Sequence, residues 1–212
     1  MIAVIDYGVG NLFSVSKAVE AVGATVEVTG DPDRIRAAEK LILPGVGAFG
    51  DCMKNLRAAS LDGVIVDEIA RGKPLMGICV GLQILFEGSE ESPNVDGLGV
   101  FKGTVKKIRA EGLKIPHMGW NRIMRNEECV MRNEFLPASS ITNYELRITN
   151  CFYFVHSYHA VPDDRSLIAA TTEYGETLTA AVARDNIFAV QFHPEKSGDV
   201  GLQVLKNFIG GA

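Results

Sequence analysis

The sequence predicts an α/β protein with an open, mixed and mostly parallel sheet that is flanked by helices and has an antiparallel part in its second half. Three observations support this prediction. Short β-branched runs alternate with helical patterns over residues 1–86, which is typical of a parallel sheet with crossover helices. Strand-like runs after residue 100 have connections too short for helices, which favours hairpins. Hydrophobic residues make up 47% of the chain, as in ordinary globular proteins.

The first half contains four expected strands and five expected helices. Leu12, Val15 and Val19 recur at helical spacing, and Gly23 is placed to end that helix. Asp31-Pro32 has the N-cap and N1 residues of a second helix. The expected strands are 2–5, 25–29, 41–43 and 74–78, the third ended by Pro44, and the later helices are about 51–59, 64–71 and 80–86.

The second half is expected to be mainly β-structure closed by a helix. The strands expected there are 100–109, 151–158, 167–173, 178–184 and 187–192, and the closing helix is 198–209. Residues 124–150 are polar and mixed, so we expect a surface insertion without chemistry of its own. Nothing marks a domain boundary, and one domain over 1–212 is expected.

Composition excludes several classes of function. The net charge of -5 disfavours nucleic acid and anionic membranes as partners. No apolar run reaches the roughly 18–20 residues of a membrane span, and the N-terminus has no basic region of a signal peptide, so a cytoplasmic protein is expected. The four cysteines form no CxxC pair, so neither a metal site nor a disulfide framework is expected. Gly8-x-Gly10 lacks the third glycine and the lysine of phosphate-binding loops.

A candidate nucleophile, Cys79, lies between Gly77 and Gly81 at the junction of a predicted strand and a predicted helix. Glycine-x-nucleophile-x-glycine at such a junction is the pattern of a nucleophile elbow, in which small neighbours let the backbone turn sharply. A helix N-terminus favours the thiolate over the thiol. The alternative, a buried and inert cysteine, is the commoner fate of a free thiol.

A base and a set of oxyanion donors are also present in the sequence. His193 follows the last predicted strand, and Glu195 comes two residues later, placed to orient the imidazole. The loop Gly45-Val46-Gly47 follows another strand, and its glycines allow backbone N–H groups to turn toward a ligand. In isolation each motif could be an ordinary turn.

Several segments together resemble one known family. GICVGLQILFEGSEE, FAVQFHPEKSG and LPGVGAF resemble the class I glutamine amidotransferases, whose sheet is flavodoxin-like. YGVGN, PHMGWN, YFVHSY and HPEKSG resemble, more narrowly, the glutaminase subunits of imidazole glycerol phosphate synthases. The resemblance covers nearly the whole chain apart from about 124–150.

The resemblance implies roles for individual residues. It makes Cys79 the nucleophile, His193 the base and acid, and Glu195 the orienting carboxylate. The other implied roles are substrate binding by Gln83, Glu91, His156, Ser157 and Tyr158, oxyanion binding by the backbone N–H of Val80 and one from Gly45-Val46-Gly47 after the loop reorients, and partner contact by Lys196 and the loop 7–11, which includes Asn11. His117 and Trp120 are expected to shape a loop near the site.

The resemblance also implies a reaction and a partner. Glutamine is hydrolysed to glutamate, and ammonia passes through a closed channel to a separate cyclase subunit, a (β/α)8-barrel, in a heterodimer. There it yields imidazole glycerol phosphate and an aminoimidazole carboxamide ribotide in histidine biosynthesis, with no cofactor. Three alternatives remain open at this point: another class I glutaminase such as one feeding anthranilate synthase, a catalytically silent binding subunit, and a cysteine hydrolase acting on peptides.

Overall fold

A computed structural model of the protein describes residues 1–126 and 151–210. The strands, in chain order, are β1 Ile2–Ile5, β2 Val26–Thr29, β3 Lys40–Gly45, β4 Leu75–Cys79, β5 Phe86–Ser89, β6 Phe101–Lys107, β7 His117–Arg122, β8 Met124–Arg125, β9 Cys151–His156, β10 Tyr158–Pro162, β11 Ile168–Glu173, β12 Thr177–Arg184 and β13 Ile187–Val190. The helices are α1 Leu12–Ala21, α2 Pro32–Ala37, α3 Phe49–Ala58, α4 Asp62–Ala70, α5 Val80–Gln83 and α6 Gly198–Gly210.

The main sheet has eight strands within the described ranges, in the order β2-β1-β3-β4-β13-β12-β11-β8. The strands from β2 to β13 in this order are parallel, and the remaining pairs are antiparallel. α1 packs against α6, whereas α2 and α3 pack against α4, so helices flank the sheet. The predicted α/β class, with a mixed and mostly parallel sheet that becomes antiparallel in its second half, is therefore confirmed.

The core lies where the central parallel strands meet the helices. β1, β4 and β13 are buried along their whole length, as expected for strands covered on both faces. On α6 the residues that face the core are Gly201, Val204, Leu205 and Phe208. Burying each large apolar side chain contributes about 1.5–3 kcal/mol, so this layer holds the C-terminal helix against the sheet.

The predicted helix 80–86 is wrong beyond its first turn. α5 ends at Gln83, and β5 begins at Phe86. The carbonyls that would continue the helix are taken by a later segment, because Leu98 donates its N–H to Ile84 (2.8 Å) and Phe101 donates to Leu85 (3.0 Å). These long-range backbone hydrogen bonds therefore override the helical propensity of the segment after Gln83.

Two predicted strand boundaries also differ from the structure. β3 runs through Pro44 instead of stopping before it. Proline lacks an N–H, but the pairing of β3 with β1 ends at Ile42. The carbonyl of Pro44 lies on the same side of β3, beyond the end of β1, and accepts a hydrogen bond from the Tyr7 hydroxyl (2.7 Å). The missing N–H therefore interrupts no strand pairing on that side. The strand expected over 151–158 breaks at Ser157, since β9 pairs with β7 and β10 pairs with β6.

The predicted insertion 124–150 begins as part of the main sheet. Met124 and Arg125 form β8 and pair with β11. The rest of that segment, from residue 127 to residue 150, lies outside the described residues. In the part of the chain that the structure describes, no helix is long and apolar enough to cross a membrane.

Candidate active site

A cavity of about 410 Å³ lies at the ends of β3 and β4. Most of the residues that the sequence marked for function line it. These are Val46, Gly47, Cys79, Val80, Gln83, Glu91, His156, Ser157, Tyr158, His193 and Lys196, joined by Pro116 and Val155. Three predicted residues do not line it: Glu195 lies behind His193, Gly45 packs against the turn after Cys79, and Asn11 precedes α1.

Cys79 has the backbone conformation of a nucleophile elbow. Its φ of 56° and ψ of -111° lie in a region that non-glycine residues rarely occupy. A Cβ on Gly81 would lie 1.9 Å from the Leu43 carbonyl oxygen, and one on Gly77 would lie 2.9 Å from the Gly81 oxygen. The flanking glycines are therefore required by close backbone contacts. The helix that follows is a single turn, so it offers a few free N–H groups and little macrodipole.

His193 and Glu195 form a buried pair beside the elbow. The Nδ1 of His193 lies 2.8 Å from the Oε1 of Glu195, and the two side chains are 3% and 1% exposed. Because Nδ1 is hydrogen-bonded to the carboxylate, Nε2 is the ring nitrogen that remains available to interact with Cys79. Nε2 is buried and makes no hydrogen bond of ordinary geometry to any described residue. The adjacency of β4 and β13 in the sheet brings the cysteine and the histidine together.

The electrostatics of the pair favour a charged imidazole. Burial, the largest single influence, lowers the pKa of His193, but hydrogen bonding and charge attraction from Cys79 and Glu195 outweigh it and raise the pKa to about 10. The ring can therefore hold a proton taken from the thiol while the carboxylate stabilises its charge. A cysteine beside such a ring can act as a nucleophile.

The predicted oxyanion loop lies against the elbow. A Cβ on Gly45 would lie 2.7 Å from the Gly81 nitrogen, so only glycine permits this contact, and Gly47 has a φ of +87°. The carbonyl of Val46 accepts a hydrogen bond from the Cys52 thiol (3.4 Å). The loop and the backbone of Val80 thus border the same cavity as the sulfur.

Two polar side chains that the sequence marked for substrate binding are anchored by the protein. Gln83 donates both hydrogens of its amide, to the Tyr158 carbonyl and to the Oε1 of Gln191, each over 3.0 Å. Its Oε1 has no hydrogen-bond donor among the described residues and remains able to accept from a ligand. Glu91 accepts the N–H of Phe49 at the start of α3 over 2.8 Å.

A pair of buried histidines supports the far wall of the cavity. The Nδ1 of His117 lies 3.0 Å from the Nε2 of His156, whose own Nδ1 lies 2.9 Å from the Tyr158 carbonyl. Asn121 Nδ2 lies 3.1 Å from the remaining nitrogen of His117. Burial lowers the pKa of His117 to about 4 and that of His156 to about 3, so both rings are neutral.

Sequence reasoning missed one residue of the site and misplaced another. Gln191 is fully buried, and its Nε2 lies 3.7 Å from the Cys79 sulfur; the available signal was a glutamine within the apolar run IFAVQF. Trp120 lies on the strand β7 and is 59% exposed, whereas a loop was expected there. Lys196 approaches the Tyr153 ring to 5.8 Å, and the predicted contacts of Lys196 and Asn11 with a partner stay predictions.

Comparison with known proteins places the chain in a family. The family model for glutamine amidotransferase class-I matches residues 3–210. Proteins named imidazole glycerol phosphate synthase subunit HisH are similar along the whole chain. The one from Acinetobacter baylyi is 48% identical, covering 98% of this chain and 97% of that protein, and the one from Nitrosococcus oceani is 50% identical, covering 98% and 96%. The one from Thermococcus kodakarensis is 48% identical, covering 98% of each.

Solved structures with much lower identity have the same fold. PurLQS from Thermotoga maritima matches with a TM-score of 0.73 at 22% identity, covering 99% of this chain and 97% of that one. A crystal structure of a glutamine amidotransferase matches with a TM-score of 0.68 at 18% identity, covering 95% of each chain. Since the family model spans nearly the full length and the relatives are close to half identical, the chain belongs to the class I glutamine amidotransferase family.

Proposed function

We propose that this chain hydrolyses glutamine to glutamate and ammonia through Cys79, His193 and Glu195, and delivers the ammonia to a separate cyclase subunit in the cytoplasm. The cyclase would use it to make imidazole glycerol phosphate and an aminoimidazole carboxamide ribotide in histidine biosynthesis. The observation that carries the proposal is the buried His193–Glu195 pair, 2.8 Å apart, beside a cysteine on a strained turn. The relatives named HisH support the pathway and the subunit role.

The chemistry follows from the positions of these groups. His193 takes the proton of Cys79, and the thiolate attacks the side-chain amide carbon of glutamine. The N–H of Val80 and one from the loop Gly45-Val46-Gly47 stabilise the oxyanion, where each donor is worth about 3–4 kcal/mol. His193 then protonates the leaving nitrogen, and ammonia departs. Water activated by the same ring hydrolyses the thioester to glutamate.

Substrate selectivity rests on groups with unused hydrogen-bonding capacity. The Oε1 of Gln83 can accept from the α-ammonium of glutamine, because both amide hydrogens are already committed to Tyr158 and Gln191. The Glu91 carboxylate lines the same cavity and adds negative charge that suits an ammonium. The segment His156-Ser157-Tyr158 holds the other side of the amino-acid end. This set favours glutamine over a peptide substrate.

The partner is proposed to dock beside the mouth of this cavity. Met118 and Trp120 are 61% and 59% exposed on the outer face of β7, opposite Val155 and Tyr153 of β9. Val155 and Lys196 line the cavity, so the apolar patch is continuous with it. An exposed aromatic patch of this kind is typical of an interface, and a partner seated there would close the route by which ammonia leaves.

The test is to compare two nitrogen sources in the assembled complex. Cys79→Ala should abolish glutamine-dependent turnover with the cyclase subunit and leave ammonia-dependent turnover intact. Cys151→Ala, which removes another free and half-buried thiol, should change neither. Loss of both activities in Cys79→Ala with the complex still formed, or full glutamine-dependent turnover in that variant, would contradict the proposed division of labour.

A further inference from the structure

Gln191 lies directly beside the sulfur of Cys79. The parallel pairing of β13 with β4 places Val190 opposite Ile78, so the next residues along the two strands, Gln191 and Cys79, also face each other. The Gln191 side chain is fully buried. Burying an amide is costly unless its hydrogen bonds are made, so its partners show what it does.

A series of hydrogen bonds that begins at the Tyr158 carbonyl determines the orientation of the Gln191 amide. The Tyr158 carbonyl can only accept, so the group of Gln83 that lies 3.0 Å from it is the NH2. The same NH2 lies 3.0 Å from Gln191, which must therefore present its oxygen. The NH2 of Gln191 is left to face Cys79, with Nε2 3.7 Å from the sulfur. A flipped Gln191 would set two NH2 groups against each other and an oxygen against a thiolate.

The Tyr158 carbonyl, at which this series of hydrogen bonds begins, also accepts a hydrogen bond from His156. Asn121 Nδ2 lies 3.1 Å from the Nε2 of His117 and donates to the Glu173 carbonyl over 2.9 Å. His117 therefore carries its proton on Nδ1 and donates to His156, which in turn donates from Nδ1 to Tyr158. Neutral rings with these tautomers make every bond in the series compatible. The carbonyl that orients Gln83 thus has two donors and a single position.

We propose that Gln191 is a further catalytic residue, whose amide N–H donates a hydrogen bond to the Cys79 thiolate and stabilises it, with Gln83 and the Tyr158 carbonyl as positioning groups. The inference deepens the proposed function and rests on it. A hydrogen bond strengthens when its acceptor becomes charged, so the contact favours the thiolate over the thiol. It also holds the sulfur at one position in the cavity while His193 exchanges the proton.

Alkylation of Cys79 as a function of pH tests this role directly. Iodoacetamide reacts with the thiolate and is small enough for a cavity of about 410 Å³, and mass spectrometry of the peptide that contains Cys79 separates it from the other cysteines. Gln191→Met keeps the approximate shape and removes the donor. A hydrogen bond to a charged group is worth about 1.5–3 kcal/mol, so the alkylation midpoint should rise by about one pH unit or more.

The controls isolate the donor from other effects. Gln203→Leu removes an exposed amide on α6 and should leave the midpoint unchanged. Cys79 interacts electrostatically with His193, Cys52 and Tyr7, and Glu91 and Lys196 also lie on the cavity wall. All five of these residues are kept in both variants. Because Cys79 and His193 titrate as a coupled pair, the alkylation midpoint reports on both groups. The informative quantity is therefore the difference in midpoint between each variant and the unaltered protein.

Two further measurements keep the inference testable if Gln191→Met does not fold. Gln83→Met frees the Gln191 amide to rotate and should raise the midpoint by a smaller amount. In the unaltered protein, the side-chain amide NMR signal of Gln191 should shift with the same midpoint as alkylation. Unchanged midpoints in folded variants, or an amide signal that does not respond to that titration, would overturn the role of Gln191.

The outcome is separable from that of the proposed function. Alkylation needs neither glutamine nor the cyclase, so a raised midpoint in a protein that fails to hydrolyse glutamine would support the Gln191–Cys79 contact and reject the glutaminase assignment. A protein that hydrolyses glutamine, but whose alkylation profile is the same with and without Gln191→Met, would support the glutaminase assignment and reject the Gln191–Cys79 contact. In kinetics, loss of thiolate should lower kcat/KM for glutamine near neutral pH, with partial recovery at higher pH.

Discussion

Replacing Glu195 by glutamine removes one charge from the site while keeping the size and shape of the side chain. The carboxylate lies 2.8 Å from the Nδ1 of His193, and neither side chain is exposed by more than 3%, so solvent screens the pair weakly. For charge centres about 4 Å apart in a medium of effective dielectric constant about 20, the attraction is about 4 kcal/mol. We therefore expect Glu195→Gln to lower the pKa of His193 by up to roughly three pH units.

The substitution also acts on the tautomer of His193. If the NH2 of the new amide faces Nδ1, the neutral ring must carry its proton on Nε2, where it can no longer accept the proton of Cys79. Loss of the orienting carboxylate in comparable triads lowers kcat by about 10⁴. A fall in glutamine-dependent kcat of about 10³–10⁴ is therefore expected, with little change in ammonia-dependent turnover.

The assay is glutamate release by the assembled complex, combined with an NMR titration of the His193 ring. Glu20→Gln is the matched control, since Glu20 pairs with Lys17 over 2.7 Å on the exposed surface of α1, where an ion pair is worth about 0–1 kcal/mol. That variant should retain full turnover. If Glu195→Gln kept more than about a tenth of the original kcat while folded, the assignment of Glu195 as the orienting carboxylate would be wrong.

Three further predictions follow from particular contacts. Gly81→Ala should destabilise the protein by at least about 3 kcal/mol in urea unfolding, because the new Cβ would lie 1.9 Å from the carbonyl oxygen of Leu43. Gly63→Ala in α4, where a Cβ would have no neighbour within 4 Å, should instead stabilise it by about 0.5–1 kcal/mol. Equal effects of the two substitutions on the unfolding free energy would refute the packing argument. The raised pKa of His193, about 10 in the folded protein against 6.5 for a free histidine, contributes stability that is complete below about pH 6.5 and is lost toward pH 10. The fall in unfolding free energy over this window should be smaller in Glu195→Gln, and identical curves would reject the link. Trp120→Ala should weaken binding of the cyclase by about 2 kcal/mol or more in calorimetry, whereas Val66→Ala on α4 should not; unchanged affinity would place the interface elsewhere.

Several features of the site could be predicted because their signals are local. Glycines on both sides of Cys79 at a strand–helix junction indicate a sharp turn, and the backbone oxygens around Gly77 and Gly81 confirm why no larger residue fits. The histidine and the glutamate two residues apart after a strand indicate an oriented imidazole. In each case neighbouring residues along the chain carry the information.

Other features depended on partners far away in sequence. The helix expected over 80–86 stops after one turn because Leu98 and Phe101 take its carbonyls. The strand β7 was not expected, since its pairing with β9 joins residues that lie between 29 (Arg122 and Cys151) and 39 (His117 and His156) positions apart. Gln191 carried only a weak signal, because a glutamine in an apolar run does not show which atom it faces.

The sequence by itself determined the order of strands and helices as far as α5, the buried character of the central strands, and a cysteine, a histidine and a glutamate as candidates for nucleophile, base and carboxylate. Local conformational preference and the cost of burying polar groups act on neighbours along the chain, so these properties are readable from it. Only the tertiary structure decided that β4 lies beside β13 in a register that sets Gln191 and His193 against Cys79. Strand register and the direction of each amide are decided by hydrogen bonds between groups far apart in sequence, such as Gln83 with Tyr158, 75 residues away, and Gln191 with Cys79, 112 residues away.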